Sequence, residues 1–215
     1  SAPECTTQFD SQLGFAIRRY CAPVLGREPF ATSDAYLARR SELGAEASER
    51  LLRATGISTY FIEVGHRGDE ILDPAGMAAA GAARALEVVR LEQLAEELAL
   101  DGCRAADFRD AFARVLDERL TRAVGVKSIA AYRIGLDFAP GRPADRDVDE
   151  AVDGWLHRHA AGAAVRLDDP VVIRHLLWEA VDRACAIQFH IGYGDADVDL
   201  HRCNPLLLTE FLRQT

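Results

Sequence analysis

The first quarter of the chain repeats its apolar residues at helical spacing. Later stretches alternate short β-branched or aromatic runs with long amphipathic ones. From Phe9 to Leu25, Leu13, Ile17 and Tyr20 share one face of a predicted helix that ends near Gly26. Pro29 interrupts the helical pattern. Thr32, Ser33 and Asp34 offer caps for a second helix through Tyr36, Leu37 and Leu43. A third helix covers Ala45 to Ala54 and stops at Gly56. The run ISTYFIEV, Ile57 to Val64, then reads as a strand that leaves through Gly65, His66, Arg67, Gly68 and Asp69. Asp73-Pro74 opens a helix over Ala75 to Ala85. LEVVRL, Leu86 to Leu91, reads two ways: its flanks suit one long helix, and Val88-Val89 suits a short buried strand.

Glu92 to Leu100 is helical. The clearest helix is Ala106 to Val124, where Phe108, Phe112, Val115, Leu116 and Leu120 form a broad apolar stripe, with Gly125 as its stop. VKSIAAY, Val126 to Tyr132, is the next predicted strand. A loop with Gly135, Pro140, Gly141 and Pro143 leads into an amphipathic helix from Asp145 to His159. Asp169-Pro170 opens another, with Ile173, Leu176, Leu177, Ala180 and Val181 on one face. It delivers the chain into a strand from Ile187 to His190. Asn204-Pro205 starts a last helix.

Strands joined by long helical crossovers imply parallel βαβ units and an α/β fold. The expected organisation is a helical segment over 1–56, with a β/α part over 57–215. The strands of that part lie near 57–64, 86–91, 126–132 and 187–190. Composition supports folding, since 49% of residues are hydrophobic. The net charge of −9 disfavours nucleic acid and anionic membrane surfaces as partners. No apolar run is long enough to span a bilayer and no signal peptide is visible. The five cysteines, Cys5, Cys21, Cys103, Cys185 and Cys203, are odd in number and widely spaced, which argues against a disulfide framework or structural zinc. The natural compartment on this reading is a reducing cytoplasm.

Candidate chemistry gathers where strands end, because chemistry in open α/β sheets collects at strand C-termini. His190 closes the run AIQFH and precedes the glycine-rich loop Ile191 to Asp195. There it could bind a metal or move a proton, or simply be satisfied by a backbone carbonyl. Lys127 interrupts an apolar strand and either points into a cavity, as a metal ligand or anion partner, or sits exposed on an edge. Tyr132 and Arg133 lie where that strand exits and could position an anionic group. Arg90 and Glu92 reach the same end if 86–91 is a strand, and are surface charges if it is helical. Glu63 and His66 raise the same question for the first strand. His157-Arg158-His159 falls in a helix, where positions two apart diverge, so the HxH is not read as a metal site. No P-loop, GxGxxG, GxSxG or HExxH motif occurs.

Three segments, EVVRLEQLAEELA (Glu87 to Ala99), GVKSIAAYRIGLDF (Gly125 to Phe138) and IQFHIGYGDADVDLHRCNPLLLTEFLR (Ile187 to Arg213), resemble in this order the amidohydrolase-related family. The similarity is to its nodulin/FluG-like branch, also found fused to glutamine synthetase-like domains. FDSQLGFAIRRYCAPVLG, Phe9 to Gly26, is similar to the helical insertion after the first barrel strand there. The resemblance implies a partial (β/α)₈ TIM-barrel-type sheet with a helical N-terminal insertion. It also implies a metal-dependent hydrolase using a divalent metal, zinc above all, on a C–N or related bond of a small-molecule substrate. His190 and Lys127 match family metal and catalytic positions. Arg90, Glu92, Tyr132, Arg133 and Asp195 are the expected substrate-binding residues. The family's first-strand HxH and its late aspartate have no counterpart in these 215 residues. The expectation is therefore a middle piece, inactive alone and prone to self-association. A non-catalytic binding or regulatory module on the same scaffold is the alternative.

Overall fold

A computed structural model describes residues 7–65, 70–192 and 198–215. Four strands form one sheet in the order β1-β2-β3-β4: Thr59–Ile62, Arg84–Arg90, Ala123–Ser128 and Ile187–Phe189. The sheet is parallel and curled. In one register, Val89 lies beside Val126 and Val126 beside Ile187; one residue further, Arg90 lies beside Lys127 and Lys127 beside Gln188. Successive side chains on a strand point to opposite faces. One face is therefore apolar and the other carries polar residues at the strand ends.

The chain divides into two compact units. The first covers 1–60 and 72–85. Its helices are α1 (Gln12–Ala16), which passes through a π-turn at Ile17–Cys21 into α2 (Ala22–Val24), then α3 (Ser33–Leu43), α4 (Ala45–Ala54) and α5 (Pro74–Gly81). Its core is Ala22, Leu25, Tyr36 and Ala47. Thr32 and Asp73 cap α3 and α5 through their side chains, as their sequence positions predict.

The second unit covers 61–71 and 86–215. It holds α6 (Leu91–Leu100), α7 (Phe108–Leu120), α8 (Ala130–Arg133), α9 (Asp145–Ala160), α10 (Pro170–Asp182) and α11 (Thr209–Leu212). Helices α6 and α7 pack on β3. Val89, Val126, Phe108, Phe112, Leu116, Trp155, Ile173 and Leu177 are all buried in one core. Each such side chain contributes about 1.5–3 kcal/mol on leaving water.

Several boundaries differ from the sequence reading. Residues 86–90 belong to a strand begun earlier at Arg84, and Leu91 already starts α6 with no intervening loop. Helix α5 ends at Gly81, where Ala82 turns left-handed (φ 49°), so 82–85 is not helical. Helix α7 ends at Leu120, and Gly125 lies inside β3 rather than at a helix stop. A Cβ on Gly125 would stand 2.8 Å from the Ala186 carbonyl oxygen, so close backbone approach is what this glycine serves. Finally, β3 ends at Ser128, and Tyr132 and Arg133 belong to α8.

Candidate functional site

The polar face of the sheet brings together residues from all four strand ends. Glu63 comes directly after β1, Arg90 ends β2, Lys127 lies one short of the end of β3, Gln188 is its neighbour on β4, and His190 comes directly after β4. The His190 N–H continues the ladder by donating to the Ser128 carbonyl at 2.9 Å. Glu63 ties two of the strands: its Oε2 accepts from Arg90 Nη2 at 2.6 Å and from Lys127 Nζ at 3.3 Å. The Gly65 N–H donates to its other oxygen. Burial alone would raise the Glu63 pKa. The Arg90 hydrogen bond and charge, the Gly65 N–H and the Lys127 charge outweigh it and hold the group below its ordinary value, so it is ionised near neutral pH.

Tyr132 stands over this end of the sheet. Its ring lies 5.1 Å from the His190 ring, and its hydroxyl donates to the Gly192 carbonyl at 3.4 Å. A cavity of about 500 Å³ opens beside it, lined by Ile191, Gly192, Leu200, Cys203, Asn204 and Pro205.

Glu92 and Arg133 take other positions. Glu92 is fully buried on the first turn of α6. Its Oε1 accepts from Ser128 Oγ at 2.6 Å and from the Ile129 N–H at 3.0 Å. Burial raises its pKa above the ordinary carboxylate value, and neither those bonds nor the nearby Arg133 charge reverses that. Glu92 thus fixes the turn at which β3 ends. Arg133 is nearly buried; it pairs with Glu96 at 3.0 Å and donates to the Leu167 carbonyl at 3.1 Å. The structure therefore joins Arg90, Lys127, Tyr132 and His190 at one end of the sheet and sets Glu92 and Arg133 in the packing behind it. Asp195 and His66 lie outside the described residues. His157 and His159, in the last turn of α9, bond separate backbone carbonyls, of Asp153 and Ala163.

Gln188 and Ser128 escape sequence reasoning, because nothing local distinguishes them. Lys127 has a further signal in the composition: it is the only lysine among 25 cationic Lys and Arg residues. A catalytic zinc generally needs three protein ligands. Among the described residues no three His, Cys, Asp or Glu side chains converge to hold a metal. Lys127 there acts as an ammonium toward Glu63, and the described donors by themselves do not fit a metal centre.

No family model matches the chain, and no curated protein matches it. Among solved structures, it is similar to a protein of Lactobacillus casei ATCC 334 named "putative metal-dependent hydrolase". The match has a TM-score of 0.67 and 30% sequence identity over 79% of this chain. The chain spans 45% of that protein's length.

Proposed function

We propose that this chain is part of a metal-dependent hydrolase of the amidohydrolase type, acting on a C–N or related bond of a small molecule. The likeness to a protein named as a metal-dependent hydrolase, at 30% identity, carries the reading. The polar row at the C-terminal strand ends supports it, since that is where parallel α/β sheets hold their chemistry. The curled parallel sheet is compatible with part of a TIM barrel. The helical segment 1–56 is then an insertion in the sequence of that barrel.

A divalent metal in such enzymes lowers the pKa of bound water and polarises the scissile bond. His190 is the described residue best placed as a ligand. The test is to strip the protein with chelator, restore zinc or manganese, and assay small N-acyl and cyclic amides. In the whole protein of which this chain is part, the reading expects hydrolysis that needs the metal and is lost in His190→Ala; the 215 residues alone are expected to be inactive. Hydrolysis that survives both treatments contradicts it. Saturable binding of such amides with no turnover under any metal favours the second reading, a binding or regulatory module on the same scaffold. The absence of a converged metal site among the described residues is the observation behind that alternative.

A further inference from the structure

Among the described residues, the row across the sheet carries more positive charge than it balances. Arg90 and Lys127 are direct register partners on β2 and β3, so their side chains leave the same face side by side. Both bond the same oxygen of Glu63, and the three side chains are only 9–15% exposed. Among the described residues, two cations against one carboxylate leave one formal positive charge in a largely dehydrated place. Such a charge is costly without a counter-ion.

Donor capacity is also left over. Arg90 Nε is buried with no hydrogen-bond partner among the described residues. An ammonium has three N–H donors, and Lys127 uses one of them on Glu63, at 3.3 Å. Gln188 lies beside Lys127 in register and adds a neutral amide to the same face.

Resting on the hydrolase reading for the word substrate, we propose that Arg90 and Lys127 form the subsite for a monoanionic carboxylate group of the substrate, with Glu63 fixing the pair and limiting its charge to one. A carboxylate matches the single excess charge and the planar donor edge of the guanidinium. A dianion would leave one negative charge facing ionised Glu63.

The sole lysine makes this directly measurable. Labelling with [13C,15N]lysine gives one side-chain Cε signal, that of Lys127. The full chain is titrated with acetate, acetamide and inorganic phosphate at constant ionic strength. The expected result is a saturable Lys127 shift with acetate, none with acetamide, and phosphate binding no tighter than acetate. Arg90→Gln should weaken acetate at least tenfold. Should that variant fail to fold, Glu63→Gln serves instead: it raises the local charge and should tighten acetate several-fold. No saturable shift, an equal response to acetamide, phosphate tenfold tighter than acetate, or unchanged acetate affinity in Glu63→Gln overturns the proposal. Acetate binding needs no turnover, so the two readings fail separately. Metal-dependent hydrolysis by the whole protein without a Lys127 shift sinks the subsite alone, and a Lys127 shift with no metal-dependent hydrolysis by the whole protein sinks the hydrolase reading alone.

Discussion

Glu92 shows how one buried side chain decides where a strand stops. Its carboxyl takes the Ser128 hydroxyl and the Ile129 N–H, and Ser128 Oγ in turn accepts the Ala130 N–H at 3.1 Å. Removing it orphans two buried donors, so Glu92→Ala should cost about 1–3 kcal/mol in urea unfolding. Its pH dependence comes from the raised pKa. The folded state holds the proton more tightly than the unfolded chain. That contribution is complete below the ordinary carboxylate value and is lost as pH rises through the folded one. Glu92→Gln keeps an acceptor and cannot ionise, so its stability relative to wild type should grow as pH is raised. Urea midpoints measured from acid to mild alkali check this; parallel curves for the two proteins contradict it. Sequence pattern places Glu92 only as a consequence of its neighbours' fold. Its bonds to Ser128 and Ile129 span more than thirty residues and leave no local trace.

At the scale of elements, the helices are legible in the sequence and the strand ends are not. The stripes through Phe108, Phe112 and Leu116, and through Ile173, Leu176 and Leu177, are strong because each helix buries one face. The caps at Thr32, Asp73 and Asp169 are local hydrogen bonds and can be read from local sequence. LEVVRL is ambiguous because β2 runs into α6 with no turn residue: Arg90 has strand dihedrals and stands at the helix N-cap position without a side-chain cap. VKSIAAY has strand composition, yet Ile129 leaves the extended region and the chain turns into α8. Gly125 reads as a helix stop because that is the commonest use of glycine after an apolar stripe. Its actual role, letting β3 approach the Ala186 carbonyl, depends on a segment about sixty residues away. Gly125→Ala should therefore destabilise by about 1–3 kcal/mol through overpacking. A variant as stable as wild type in urea would show that the β3–β4 approach has room to spare.

At the scale of the whole molecule, the alternation of strands and helices leads to the α/β class, and the structure carries a four-stranded parallel sheet. No helix among the described residues is long and apolar enough to cross a membrane. The outer strands of the sheet are β1 and β4. Strand edges are templates for pairing, and Phe61 on β1 as well as Leu200, Leu206 and Leu212 are largely exposed. We expect concentration-dependent self-association; light scattering that gives a clean monomer at high concentration contradicts it. The candidate site is legible as separate residues, Arg90, Lys127, Tyr132 and His190, and their meeting needs the register of the sheet. The central proposal is that a divalent metal, held only weakly by this chain alone, binds at the C-terminal strand ends. Paramagnetic manganese tests it most directly, because line broadening maps even weak binding. Substoichiometric Mn²⁺ should broaden the amide signals of Glu63, Lys127 and His190 before those of the acidic helix α9, and His190→Ala should abolish the effect. Broadening confined to α9, or unchanged in His190→Ala, contradicts the account.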